Sequence, residues 1–285
     1  MILSNLNNPQ VKKYIILQII RKKSYILKYY CKINYFYTKN DKIFLIGSIN
    51  LCWPNTENNM ILTPYILFLG DAPDQLAAKV AQGIKDWRPD SVVGQLRLTG
   101  CGADLRIDDL TLDQAQEAGA KTLVIGVANR GGVISHTWKR VLIEALEKGF
   151  DLASGLHNLL NAEADLVEVA KANGRKLHDV RVPSTQYPIA NGEKRRGKRC
   201  LVVGTDCSVG KMYTALAVDE VMRARKIKST FRATGQTGIL ITGNGVPLDA
   251  VVADFMAGSV EYLTPDNDDD HWDLIEGQGS LFHVS

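Results

Sequence analysis

The stretch GTDCSVGKMY, residues 204–213, contains residue types that suit the binding of a phosphate group. Two glycines and a lysine follow the spacing G-x-x-x-x-G-K, which is typical of phosphate-binding loops. Glycines let backbone N–H groups approach phosphate oxygens closely, and the lysine ammonium adds a positive charge. The predicted cofactor-binding residues are Gly204, Thr205, Asp206, Cys207, Ser208, Val209, Gly210, Lys211, Met212 and Tyr213.

Position 212 departs from the usual pattern of these loops. Loops that hydrolyse nucleotides place Ser or Thr after the lysine, where the hydroxyl binds Mg²⁺. This chain has Met212 there, and Thr214 lies two positions too far along to substitute. The loop therefore indicates phosphate binding more strongly than metal-dependent hydrolysis, and we predict no metal ligand.

Two further segments of the C-terminal half carry candidate catalytic groups. Glu276 ends the apolar run WDLIE and is suited to act as a base or to hold a metal through water. In the polar loop RATGQTG (232–238), Arg232 can clamp a carboxylate by two parallel hydrogen bonds, while Gln236 and Thr237 can position a substrate. An ordinary Gly-rich turn is the alternative for both segments. The predicted catalytic residues are Lys211, Glu276, Arg232 and Gln236.

Other polar residues are weaker candidates for binding a ligand or a metal. Arg130 follows a predicted strand in GVANRGG, and His157 lies just beyond another, where open α/β sheets bind ligands. Asp254 lies in an apolar helical pattern and, if buried, needs a partner. The acidic run at 265–271 is more typical of a solvated loop than of a metal site. The segment at 70–79 has too few glycines for a dinucleotide fingerprint, so we do not predict NAD.

The elements that must position these groups alternate between strands and helices. This order predicts an α/β fold in which helices cover both faces of a parallel sheet. The Pro- and Gly-containing stretch at 183–198 is typical of a linker. We predict an atypical extension at 1–59, a Rossmann-like domain at 60–186 and an incomplete P-loop NTPase-like domain at 187–285. Predicted strands are 65–70, 121–128, 150–156, 178–183, 199–204 and 272–276; predicted helices lie near 76–84, 137–149, 162–174, 211–226 and 249–263.

Composition changes sharply near Met60. Residues 1–59 contain no alanine and carry nine basic and two acidic residues, so the remaining 226 residues of this +3 chain sum to −4. A mildly acidic body argues against nucleic acid as a partner. The apolar runs of the extension are too short to span a bilayer, which leaves a misassigned start or a basic membrane-surface segment. The five cysteines show no pairing motif and indicate a cytoplasmic protein.

Several motifs, taken together and in order, resemble the DUF1611 family over residues 60–285. The resemblance implies a Rossmann-like domain, a P-loop domain and an N-acetyltransferase that uses acetyl-CoA on an acidic amino acid, above all D-glutamate. It implies that Met212 is a family trait and that residues 205–213 hold CoA phosphates without phosphoryl transfer. The motifs are GVANRGG, SGLH, GTDCSVGKMYTALAV, RATGQTGILI, DAVVADFMAGSVEYL and HWDLIEGQGSLFH.

The chemistry then suggests that Arg232 holds a substrate carboxylate and that Glu276 helps to deprotonate the attacking amine. The loop and the E-G-Q-G turn are also similar to dethiobiotin synthetase. An ATP- and Mg²⁺-dependent ligase or kinase-like enzyme is therefore an alternative, as is a nucleotide-binding module without catalysis. Because family members continue beyond Ser285, we expect a truncated chain, and loss of activity through truncation is an alternative to the active enzyme. The expected partner is a small-molecule substrate, in a homo-oligomer, with no membrane.

Overall fold

The chain divides into two units, residues 1–56 and 57–285. The computed structural model describes residues 35–39, 42–46, 61–128, 130–183 and 185–280. In the first unit, strands β1 (Tyr35–Lys39) and β2 (Lys42–Ile46) pair in an antiparallel hairpin. Most of the basic 1–59 segment lies outside the described residues. Within the described part of the chain, every helix is too short or too polar to span a bilayer.

The first sheet of the second unit is parallel and has the strand order β4-β3-β5-β6-β7. All six residues of the interior strand β3, YILFLG, are buried, so both faces of the sheet are covered there. This confirms the predicted parallel α/β fold. The strands are β3 (Tyr65–Gly70), β4 (Val92–Arg97), β5 (Thr122–Ile125), β6 (Asp151–Ser154) and β7 (Leu177–Asp179).

Helices connect these strands and have recognisable ends. The Thr111 side chain accepts a hydrogen bond from the Gln114 N–H, and the Gln114 side chain accepts one from the Thr111 N–H, which forms a capping box. Ser135 caps the next helix through the N–H of Trp138. Gly174, with φ 62°, follows the last one. The helices are α1 (Lys79–Trp87), α2 (Leu112–Glu117), α3 (His136–Glu147) and α4 (Ala164–Ala172).

Two predicted boundaries around this sheet are wrong. The helix predicted near 76–84 begins at Lys79, and Leu76 lies before it and is 68% exposed. The strand predicted over 178–183 ends at Asp179. The carboxylate of Asp179 accepts N–H bonds from Leu160 and Asn161 at 2.7 and 3.0 Å. Its side chain therefore stabilises the start of the short helical turn Leu160–Ala162.

The second sheet of this unit has three described parallel strands in the order β8-β10-β9. Its central strand, β10, ends at Glu276, while the phosphate-binding loop joins edge strand β8 to the next helix. The predicted strand–loop–helix context of the phosphate loop is thus confirmed. The elements are β8 (Lys198–Val202), α5 (Lys211–Ala224), β9 (Ser229–Arg232), α6 (Gln236–Thr242), α7 (Ala253–Leu263) and β10 (Trp272–Glu276).

Helix α7 packs against residues 188–192, which lie in the segment that connects the two sheets. The Glu261 carboxylate accepts N–H bonds from Asn191 and Gly192, each at 3.0 Å. A Cβ on Gly258 would lie 1.7 Å from the Pro188 carbonyl oxygen, so only glycine allows this approach. Asp254, predicted to need a partner, is exposed, because α7 begins only at 253 and turns this residue to solvent.

We predict that Gly258→Ala lowers the free energy of unfolding by about 1–3 kcal/mol, because the added methyl group meets backbone atoms that cannot move aside. Helix propensity alone would stabilise the alanine variant by about 1 kcal/mol. Urea unfolding measures the difference. The matched control is Ala257→Ser on the exposed face of the same helix, expected within about 0.5 kcal/mol of the unaltered protein. A Gly258→Ala variant as stable as the parent would contradict this packing.

Candidate functional site

The backbone of the phosphate-binding loop is shaped for an anion. Ser208 and Gly210 adopt left-handed conformations, with φ of 57° and 100°. The Asp206 carboxylate accepts the N–H of Cys207 at 2.6 Å, which closes the turn before them. Helix α5 then starts, and its first amides have no acceptor within the helix. An anion at this point meets loop N–H groups and the positive end of the helix.

Lys211 lies across the mouth of this loop. Its Nζ donates hydrogen bonds to the carbonyl oxygens of Asp206, at 2.8 Å, and Gly279, at 2.6 Å. The stem of the side chain passes close to Gly204, where a Cβ would lie 3.1 Å from Lys211 Cγ and 2.7 Å from Val209 Cγ2. The ammonium thus joins the loop to the turn after β10, and phosphate oxygens can replace the two carbonyls as its acceptors.

Glu276 lies at the carboxyl end of β10 and is only 7% exposed. Its Oε2 accepts N–H bonds from Thr234 at 3.0 Å and Gly235 at 3.2 Å. Burial raises the pKa of this carboxyl, although those hydrogen bonds and the charge of Lys211 act in the opposite direction. A Cβ on Gly238 would lie 2.6 Å from Oε2, so the carboxylate is closely enclosed. A carboxyl with a raised pKa accepts a proton more readily near neutral pH.

Arg232 has a carboxylate partner within the chain. Its Nε and Nη2 both lie 2.8 Å from Oδ1 of Asp273, a side chain that is 1% exposed. A buried carboxylate needs such a cation beside it. The guanidinium is therefore occupied by a structural ion pair, and the geometry gives no support to the predicted clamp on a substrate carboxylate.

Gln236 lies in a helix, whereas we predicted a loop over 232–238. It is the first residue of α6, and a Cβ on Gly155 would lie 1.9 Å from its Oε1. With the amide oriented to satisfy its neighbours, its nitrogen donates to the Gly155 carbonyl at 2.8 Å and its oxygen accepts from Arg181 Nη2 at 3.1 Å. Arg181 also pairs with Asp249. Gln236 therefore joins the two domains.

The structure brings together only some of the weaker candidates for a ligand site. The Gly132 carbonyl accepts the Asn158 N–H at 3.3 Å, so the loops after β5 and β6 meet at the carboxyl edge of the first sheet. His157 is exposed beside this contact, while the Arg130 side chain lies outside the described residues. In the acidic run, Asp268 and Asp270 form ion pairs with Lys228. Among the described residues, no three metal-ligating side chains gather at one point.

Helix α1 of the first domain packs directly on the phosphate-loop domain, a contact that sequence reasoning missed. A Cβ on Gly83 would lie 2.6 Å from Thr237 Cγ2 and 3.5 Å from Met212 Cε. The Tyr213 hydroxyl donates to Asp86 Oδ2 at 2.9 Å. Met212 thus packs against α1 instead of presenting a hydroxyl to a metal. The signal in the sequence was an apolar Met-Tyr pair at a helix start where a hydroxyl residue is usual.

The fold and the site define a two-domain α/β protein whose C-terminal domain carries a phosphate-binding loop. The model of DUF1611, a domain of unknown function described as a P-loop domain, matches residues 188–285. The model of its Rossmann-like counterpart, DUF1611_N, matches residues 97–183. The chain belongs to the DUF1611 family. The predicted boundaries at 60, 186 and 187 stay predictions.

Two similar proteins have the name D-glutamate N-acetyltransferase. The one from Tritonibacter scottomollicae is 79% identical over 226 residues, which cover 79% of this chain and 68% of that protein. The one from a Pseudoalteromonas species is 48% identical over 223 residues, or 78% of this chain and 67% of that protein. The crystal structure of a DUF1611 family protein from Anabaena variabilis has a TM-score of 0.68 and 32% identity, and the match covers 78% of this chain and 67% of that one.

We predict that Gly83→Ala destabilises the protein by about 1–3 kcal/mol, because the new methyl group meets the Thr237 methyl group at the domain contact. Thr237→Ser removes that methyl group and keeps the hydroxyl. The double variant should recover at least half of the loss, which urea unfolding of all four proteins measures as a coupling energy. Equal destabilisation by Gly83→Ala in both backgrounds would show that α1 and α6 do not meet as described.

Proposed function

We propose that this protein is an N-acetyltransferase that transfers the acetyl group of acetyl-CoA to D-glutamate. One observation of the site carries the proposal. The chain keeps a phosphate-binding loop with its lysine, but the metal-ligating position holds Met212, packed near Gly83 of the other domain. Such a loop is suited to binding a phosphate-bearing molecule without transferring the phosphate. The names of the 79% and 48% identical relatives support acetyl transfer and D-glutamate.

The reaction needs no metal at the phosphates. The substrate amine attacks the thioester carbonyl, a C–N bond forms, the C–S bond breaks, and the CoA thiol leaves as the amine loses its proton. The phosphates of acetyl-CoA serve only for binding and remain intact. We assign them to the loop at 204–213, because its lysine ammonium bonds to two carbonyls that phosphate oxygens can replace and because the loop leads into a helix N-terminus.

We assign proton removal to Glu276. Its Oε2 is held by two backbone N–H groups at the start of α6. Its position at the end of β10 brings it near Lys211, whose charge acts on its pKa. A base held in this way accepts a proton without first reorganising, which supports its role toward the attacking amine. Substrate binding by Arg232 and Gln236 stays a prediction, since Arg232 pairs with the buried Asp273 and Gln236 bonds to Gly155 and Arg181.

ATP with Mg²⁺ is the alternative cofactor, and only the position of Glu276 beside the loop favours it. A cytoplasmic location is also part of the proposal, supported by the free thiols of Cys101, Cys200 and Cys207. The homo-oligomeric state stays a prediction.

We expect Lys211→Ala to weaken acetyl-CoA binding about tenfold or more, because a charge-assisted hydrogen bond to phosphate contributes about 1.5–3 kcal/mol. Isothermal titration calorimetry in the presence of EDTA measures this affinity. The control is Lys171→Ala, an exposed lysine of α4, which should leave the affinity unchanged. Unchanged acetyl-CoA affinity in Lys211→Ala, or binding of ATP·Mg²⁺ alone by the unaltered protein, contradicts the assignment.

We expect Glu276→Gln to lower kcat by about 100-fold or more, the usual contribution of a general base. The glutamine oxygen can accept the same two N–H bonds, so the fold is kept while the base is lost. The rising limb of the pH profile of kcat/KM should report the raised pKa of Glu276 in the unaltered enzyme and disappear in the variant. A variant with full activity and the same profile would exclude Glu276 as the base.

Glu276→Gln also shows how ionisation of the buried Glu276 carboxyl affects the free energy of unfolding. Because burial raises the pKa of Glu276, the folded protein binds this proton more tightly than the unfolded chain. The resulting stabilisation of the fold is complete below the pKa of Glu276 in the unfolded chain, about 4.3. It is lost as the pH rises through the higher pKa of Glu276 in the folded protein. Denaturant unfolding between these pH values should therefore show a decline that Glu276→Gln lacks.

A further inference from the structure

A cation from the N-terminal domain reaches the phosphate-binding loop. Lys79 is the first residue of α1, and its Nζ donates a hydrogen bond to Ser208 Oγ at 3.3 Å. Ser208 lies within the loop and has the left-handed φ of 57°. The two residues are 129 positions apart, so only the packing of the domains brings them together.

Helix α1, which begins at Lys79, is held in place from both sides. Toward its own sheet, the N–H of Ala81 donates to the Gly126 carbonyl at 2.9 Å. Toward the other domain, Asp86 accepts from Tyr213 at 2.9 Å and Arg88 donates to the Ile241 carbonyl. The start of α1 is thus kept at the rim of the loop, within the reach of a lysine side chain.

The charges at the loop favour a second cation. Each phosphate of a diphosphate bears at least one ionised oxygen at neutral pH, whereas Lys211 supplies a single positive charge. The Asp206 carboxylate is part of the same loop and opposes an anion there. The Lys79 ammonium now contacts a neutral hydroxyl, whereas Lys85, on the same helix, pairs with Asp86 at 3.7 Å. Lys79 is therefore the basic side chain of α1 placed to meet a ligand on the loop.

We propose that Lys79 is a second phosphate-binding residue, so that the diphosphate is bound between the two domains. The proposal rests on the proposed function insofar as the diphosphate is that of acetyl-CoA. Ligand binding would then depend on the α1 contact as well as on the loop. Residues that hold α1 in place, such as Asp86 and Tyr213, become positioning residues for the ligand.

The test compares Lys79→Gln with Lys85→Gln on the same helix, using calorimetry with inorganic pyrophosphate and, separately, with acetyl-CoA. We expect Lys79→Gln to weaken pyrophosphate binding about five- to twentyfold at low salt, the effect of one exposed charge about 4 Å away. The difference should shrink as NaCl is added, because salt screens exposed charges. Lys85→Gln should bind within about twofold of the unaltered protein. In turnover, Lys79→Gln should raise KM for acetyl-CoA and leave kcat unchanged.

Failure of this proposal is distinguishable from failure of the proposed function. If Lys211→Ala loses acetyl-CoA binding while Lys79→Gln binds both probes normally, the proposed function stands and the role of Lys79 is overturned. If the unaltered protein binds pyrophosphate but not acetyl-CoA, the proposed function fails, and the pyrophosphate comparison still decides the role of Lys79. A protein that does not bind pyrophosphate at all overturns it, as does a fall in kcat with unchanged KM. Urea unfolding confirms that Lys79→Gln, an exposed change, remains folded.

Discussion

The close approach of α1 to the helices of the phosphate-loop domain is the contact on which the site depends. It is possible because Gly83 has no side chain at a point where Thr237 and Met212 come within a few ångströms. The contact fills the position after Lys211 with an apolar group that belongs to a packed interface. A loop familiar from metal-dependent enzymes is thereby built into a domain contact. Its lysine ammonium lies between the carbonyl oxygens of Asp206 and Gly279.

The position of Glu276 follows from sheet order. β10 lies between β8, which leads into the phosphate loop, and β9, which leads into α6. A residue at the end of β10 therefore meets groups from both connections: Lys211 on one side, and the N–H groups of Thr234 and Gly235 on the other. The compact turn around it needs Gly238, because any side chain there would displace the carboxylate. Under the proposed function, adjacent strand ends thus supply both the phosphate-binding loop and the carboxylate that accepts the proton.

Local patterns predicted much of this arrangement. The phosphate loop, the buried strand β3 and the strand ending at Glu276 each have a signal within about ten residues. The edge strand β4 was missed because Gly94 and Gln95 interrupt its apolar pattern. Gln95 is buried, and its amide bonds to the loop that follows, donating to Asp104 and the Ile107 carbonyl.

The rest depends on contacts that are distant in sequence. Arg232 looked like a ligand-binding residue because its partner Asp273 is 41 positions away. Gln236 and Met212 likewise contact the first domain, and their local sequence does not predict these contacts.

Mass spectrometry of a reaction that contains acetyl-CoA, D-glutamate and EDTA shows whether the phosphate-binding loop binds an acyl donor without a metal. We expect N-acetyl-D-glutamate and one free CoA per product, with L-glutamate as a poorer acceptor. Product formation that requires ATP and Mg²⁺ would exclude the metal-free use of acetyl-CoA.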